Sequence, residues 1–208
     1  MGYYIFSYAL DLAKATSVIR TRDPALFDAV LETEEFDLYA GQDQKGYTTT
    51  RAALEQLLLG KRHSLFSKYD KASAHAYWYA FIAICGHLGE RLPAAHEIKL
   101  SYETDLIDAY LLSDFGITVK IDELLLNGEG GQFGLPEIQD WPLCGVWNRE
   151  QLTVQQDRFS AIDITDEQLQ ELAETDDEKE MAYDSIRQIK ENVTYCLEKQ
   201  LGMITFCH

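Results

Sequence analysis

Ten consecutive apolar residues, Ala76 to Cys85, restrict this chain more than any other feature of it. The run is well short of the ~20 residues that cross a bilayer. It lies inside a segment, Asp70 to Leu88, that reads as one long helix ended by Gly89 and then Pro93. Ten apolar residues in succession cover every face of a helix, and such a helix is normally the buried spine of a domain. The rest of the chain must therefore supply enough apolar surface to surround it. At 208 residues, 46% of them hydrophobic and with 12 tyrosines, 9 phenylalanines and 3 tryptophans, it does so without disulfides or a structural metal. A chain of this size buries roughly 70% of its unfolded surface.

Both ends read as strands. Tyr3 to Tyr8 is aromatic and β-branched on both alternating faces, which predicts an interior strand. Met203 to Phe206 predicts a closing one, released from the preceding helix by Gly202. Between them lie helices with recognisable starts. Asp11 caps a short helix to Ile19, and Asp23-Pro24 opens a second with Leu26, Phe27, Val30 and Leu31 as its stripe. Thr49 opens a third, carrying Leu54, Leu57 and Leu58 and ending at Gly60. Glu103 to Leu112 reads as a helix, Gly116 to Ile121 as a short strand, and Gly128 to Gly134 as a mobile turn after the polar loop Gly41 to Gly46. Cys144 to Trp147 reads as a strand before a helix capped by Asn148. Thr165 with Gln168, and Thr175 with Glu178, each have capping-box spacing. Ala182, Ile186, Ile189, Val193, Cys196 and Leu197 then recur in threes and fours along the clearest amphipathic helix of the chain. Without repeats or linkers, this predicts a single α+β domain over residues 1–208: a small sheet holding the two terminal strands, packed by several helices, one of them buried.

At its two ends the chain resembles the YfbM-like family of uncharacterised bacterial proteins. Met1-Gly2 runs directly into the strand, Asp11-Leu12 opens the next helix, and the helix from Asp177 to Gln200 turns at Gly202 into the last strand. The resemblance implies a compact α+β bacterial cytoplasmic protein. It brings no established active site, so no residue role is carried over.

The formal net charge is −17. Such a balance disfavours nucleic acid, which is bound by neutralising phosphates with lysine and arginine, and anionic membrane surfaces as well. It favours a cationic partner and also keeps a protein dispersed. Nine carboxylates fall between Asp163 and Glu180 against the single Lys179. Some would complement helix N-termini, but helix chemistry does not call for so many. Asp166, Glu167, Glu171, Glu174, Asp176, Asp177, Glu178 and Glu180 are therefore the candidate contact residues for a basic protein, with Trp141 and Trp147 as aromatic anchors beside Phe133.

Other chemistry finds little support. His75 and His87 stand about three helical turns apart, roughly 18 Å, too far to share a metal, and His75 reads as a hydrogen-bonded core histidine. The glycine-rich stretch from Gly128 carries Glu129 and no following Lys-Ser or Lys-Thr, so it does not read as a phosphate loop. Cys85, Cys144, Cys196 and Cys207 show no paired spacing, no leader peptide is evident before Leu10, and a reducing cytoplasm fits best. No catalytic, cofactor or metal motif is expected. The leading expectation is thus a non-enzymatic acidic binding protein, an inhibitor or immunity protein for a basic toxin. The alternatives are a hydrolase or transferase built on His75, Asp105 and Asp108, and a DNA mimic.

Overall fold

A computed structural model describes residues 3–60, 73–93, 97–100, 104–138 and 142–207. In chain order the elements are β1 (Tyr3–Leu10), α1 (Leu12–Ser17), α2 (Pro24–Leu31), α3 (Glu34–Ala40), α4 (Thr50–Leu59) and α5 (Ala74–Leu88). There follow β2 (Glu90–Leu92), β3 (Ile98–Leu100), α6 (Thr104–Phe115), α7 (Ile121–Leu125) and a 3-10 turn (Glu129–Phe133). The last elements are β4 (Leu143–Trp147), α8 (Arg149–Arg158), α9 (Asp166–Thr175), α10 (Asp177–Glu198) and β5 (Gly202–Cys207). The fold is α+β, as expected, with both terminal strands in one sheet and several helices packed around them. By contact the chain divides into two compact units. Among the described residues, no helix is long and apolar enough to cross a membrane.

The first unit (Met1–Ala9, Arg91–Asn127, Cys144–His208) carries the five-stranded sheet in the order β2-β1-β5-β4, with β3 also pairing β1. The β1–β3 pairing is antiparallel and sets Ile5 opposite Ile98. Every residue from Ile5 to Leu10 is buried, and so is all of β5. This is why these two strands show no polar alternation. Phe6 and Phe206 stand 5.7 Å apart, with Tyr8 edge-on to both. The two buried hydroxyls between the strands, Ser7 and Thr205, satisfy each other at 2.9 Å. α10 packs on β3 and β5 and against α6, α8 and α9. Its buried stripe is the one read from sequence: Ala182, Ile186, Ile189, Val193 and Cys196.

β4 lies at the rim of the sheet, and its rim is covered. The Asn127 side-chain amide donates to the Val146 carbonyl at 2.9 Å and accepts from the Val146 N–H at 3.0 Å, copying the two bonds of a neighbouring strand. An open strand edge invites other chains to pair with it; here one side chain occupies that position. No strand forms over 116–121, where one was expected. Instead Ile117 and Ile121 are buried and α7 begins, its first N–H accepted by Asp108 Oδ1 at 2.9 Å.

The second unit (Leu10–Glu90, Gly128–Leu143) is organised by α5, which packs on α3 and α4 and touches α1 and α2. All residues from Ala80 to Cys85 have essentially no exposure. Two of its polar tips find partners: Trp78 Nε1 donates to Pro136 O at 2.9 Å, and the Tyr77 hydroxyl donates to Gln56 Oε1 at 2.7 Å. The caps Asp11, Asp23 and Thr49 each accept backbone N–H groups as expected. The expected start of the long helix at Asp70 lies outside the described residues. Gly128 to Gly134 is not a loose turn. It is a 3-10 turn framed by two glycines in the left-handed region (φ 72° and 65°), and its Phe133 packs 4.6 Å from Phe81.

Candidate functional site

The acidic stretch folds as two consecutive helices joined at a single residue. Thr165 and Gln168 form the capping box that opens α9, as expected. The second box, expected at Thr175 and Glu178, is replaced one residue later. Asp176 ends α9 and also opens α10, its carboxylate accepting from Lys179 N at 3.1 Å. A carboxylate at this cap does what a threonine hydroxyl would, and adds a charge that suits the helix dipole.

Among the described residues, Arg187 and Lys179 form ion pairs in this region. Arg187 Nη1 lies 2.5 Å from Asp166 Oδ1 and Nη2 3.2 Å from Asp184, so Asp166 ties the first turn of α9 to α10 and is compensated within the protein. Lys179, the lysine of the acidic run, turns to α6. Its Nζ sits 2.9 Å from Asp114 Oδ2 and within 5.1 Å of the Tyr110 and Tyr183 ring centres. Glu167, Glu171, Glu174, Asp176, Asp177 and Glu178 are exposed and Glu180 is half-buried. Among the described residues no ion pair reaches any of these seven. Asp177, Glu178 and Glu180 occupy the first turn of α10, where the dipole favours them. Glu171 and Glu174 do the opposite, standing in the C-terminal half of α9 where the dipole favours cations. Helix stability does not explain those two.

The Asp114 cluster has its own pH signature. The Ser113 and Tyr183 hydroxyls donate to its carboxylate, each at 2.6 Å, and Lys179 adds its charge. These contacts hold the Asp114 carboxyl down to about 2, with Ser113 the largest cause. A carboxylate whose folded pKa is depressed stabilises the fold above its unfolded value, and that stabilisation drains away as pH falls towards the folded value. Asp114→Asn is therefore expected to weaken the protein near neutral pH. Between about pH 4 and pH 2 its unfolding midpoint should fall less steeply than that of the wild type. Urea titrations at stepped pH measure this, and parallel acid limbs would contradict it.

Where they are described, the aromatic residues expected as anchors are core residues. Trp147 is 3% exposed and its Nε1 donates to Leu124 O at 2.8 Å, so it is a core residue of the first unit and not the exposed contact expected. Phe133 is likewise 3% exposed, and Trp141 lies outside the described residues. The sequence signal that could have separated them is position: Trp147 ends a buried strand, and strand residues seldom serve as loop contacts.

The residues of the catalytic alternative have separate local roles. Asp108 accepts the first N–H of α7, and Lys120 Nζ stands 3.2 Å from Asp108 and 3.4 Å from Asp105. His75 belongs to the second unit. It is half-buried, not the hydrogen-bonded core residue expected, and makes edge contacts with Tyr47 and Tyr79. Its Nε2 has no hydrogen-bond partner among the described residues. All four cysteines are buried and none is in a disulfide. Burial pushes the Cys196 and Cys207 thiols up to about 12 and raises Cys144 further, so these sulfurs stay protonated at neutral pH.

No curated protein and no solved structure matches this chain. A protein-family model does, over residues 1–208: the chain belongs to the family described as Domain of unknown function (DUF7691).

Proposed function

We propose that this is a non-enzymatic binding protein whose α9–α10 tip engages a basic protein, as an inhibitor or immunity protein neutralising a basic toxin such as a nuclease would. The observation that carries the reading is the pair Glu171 and Glu174, exposed and with no ion pair among the described residues, at the end of α9 where helix chemistry opposes them, beside Asp177 and Glu178. Like charges crowded this way repel one another, and a cationic partner relieves the repulsion. Lys179 and Arg187, which could have relieved it internally, are engaged with Asp114 and Asp166. The reading dispenses with Trp147 as an anchor and rests on charge. A net charge of −17 speeds encounter with a positive surface and disfavours nucleic acid as the partner. A reducing, cytoplasmic setting accords with four unpaired thiols.

The test compares wild type with a Glu171→Gln, Glu174→Gln, Asp177→Asn, Glu178→Gln variant as immobilised baits, at ~0.05 M and ~0.5 M salt. Basic proteins retained by the wild type at low salt should be lost by the variant. For a purified partner, the association rate should fall about tenfold or more, the lower end of electrostatic steering. The partner's own activity should be suppressed stoichiometrically by the wild type. Binding that survives neutralisation, or that ignores ionic strength, overturns the reading.

A further inference from the structure

Asn127 and Gly128 form the one Asn-Gly pair of the chain; the other two asparagines, Asn148 and Asn192, precede Arg149 and Val193. Asparagine is a thermolabile residue, and most so before glycine, which has no Cβ to keep its backbone nitrogen away from the neighbouring amide. That nitrogen attacks the asparagine Cγ. A C–N bond forms, the Cγ–Nδ2 bond breaks, and ammonia leaves carrying the glycine amide proton. The product is a succinimide ring. Water opens it at either carbonyl to leave aspartate or isoaspartate, and no other reactant is needed.

The attacking residue is open and the attacked one is held. Gly128 is exposed at φ 72°, and nothing lies within 4 Å of where its Cβ would stand. Among the described residues its N–H donates to no carbonyl. Asn127, by contrast, is half-buried and tied at both ends of its amide. Nδ2 donates to Val146 O at 2.9 Å, and Oδ1 accepts from Val146 N–H at 3.0 Å, on a strand residue that is 1% exposed. Attack makes Cγ tetrahedral and expels Nδ2, so this flat two-bond grip cannot persist through the reaction. While it is made, it resists the attack. The product also undoes it, because an ionised carboxylate accepts hydrogen bonds and donates none. An oxygen in place of Nδ2 would set two acceptors against each other at Val146 O.

We propose that Asn127 is a modification site, where deamidation is slow while the amide holds Val146 and uncovers the rim of β4 once it has occurred. Opening of the rim sets the rate, so the reaction follows local unfolding and not the chemistry of the pair alone. The full-length protein is kept in mildly alkaline buffer, folded or in urea, and sampled by peptide mass spectrometry. In urea Asn127 should convert to aspartate and isoaspartate, with Asn148 and Asn192 unchanged over the same time. In the folded protein conversion at Asn127 should be about tenfold or more slower, the protection given by a closed rim. The aspartate product is tested directly as Asn127→Asp. Its Val146 amide should exchange about tenfold or more faster than in the wild type, the loss of a hydrogen bond at a buried carbonyl. The proposal is overturned if Asn127 does not convert in urea, if folded and unfolded chains convert at the same rate, or if Asn127→Asp leaves Val146 exchange unchanged. Should Asn127→Asp not fold, the two conversion rates decide alone, and equal rates overturn the proposal.

Discussion

Phe81→Ala is expected to remove about 3–5 kcal/mol of unfolding free energy. Phe81 is fully buried at the middle of α5, 4.6 Å from the Phe133 ring and 6.3 Å from Trp78. Truncation forfeits the transfer energy of the ring. It also leaves a cavity that cannot collapse, because Ala80, Ile82, Ala83 and Ile84 beside it are just as enclosed. Whole domains are stable by only about 5–15 kcal/mol, so this is about a fifth of the total or more. In urea the midpoint should drop far below that of the wild type. Leu38→Ala on α3 serves as the control. Leu38 is 51% exposed, and its truncation should cost well under about 1 kcal/mol. If the two variants unfold together, α5 is not the spine of its unit.

A comparably large loss is expected from adding one methyl group, at Gly145→Ala. A Cβ on Gly145 would stand 1.8 Å from Leu125 O and 2.7 Å from Leu125 C. These are backbone atoms at the end of α7, so neither side can rotate aside. Either β4 or α7 must move, and the cost belongs at or above the upper end of the roughly 1–3 kcal/mol usual for overpacking. The same shift would pull Val146 from the Asn127 amide that covers the sheet rim. Gly145→Ala should therefore lower the urea midpoint and speed amide exchange at Val146 together. Gly131→Ala, with nothing within 4 Å of the added carbon, should do neither. A midpoint for Gly145→Ala matching that of Gly131→Ala would mean that β4 and α7 are not in this contact.

These two variants bear on the frame that presents the candidate sites. α10 takes its place from contacts with β3, β5, α6, α8 and α9, and the acidic tip is the exposed end of that packing. A tip held on a rigid helix pair presents its charges in a constant arrangement, which favours selective recognition over general attraction. In the second unit the last carbonyls of α4 likewise fix the segment after α1, Leu57 O and Leu58 O accepting from the Arg20 and Arg22 N–H groups.

Much of the fold was legible because it is decided within one or two turns of chain. The caps Asp11, Asp23, Thr49, Asn148 and Thr165 act on N–H groups two or three residues away. The stripe of α10 follows from a period of 3.6 residues, and the buried strands and the buried helix announce themselves by lacking a regularly recurring polar face. The misread cap shows the resolution of such reasoning. Thr175 and Asp176 are adjacent and both can cap a helix, and only the path of the chain out of α9 selects Asp176.

What sequence alone determined is the class of the fold, the two terminal strands, the enclosed helix and the density of negative charge before residue 180. Tertiary structure decided everything that depends on a distant partner. β2 and β3 span three residues each and exist by pairing within the sheet; α7 starts where Asp108, thirteen residues earlier, accepts its first N–H. Trp147 became core, Asp166 was neutralised from 21 residues away, and Lys179 was drawn off to Asp114. The reason is physical. Local propensity and capping are properties of neighbours in the chain, whereas burial and charge compensation are properties of neighbours in space, and many sequences with the same local pattern would pair them differently.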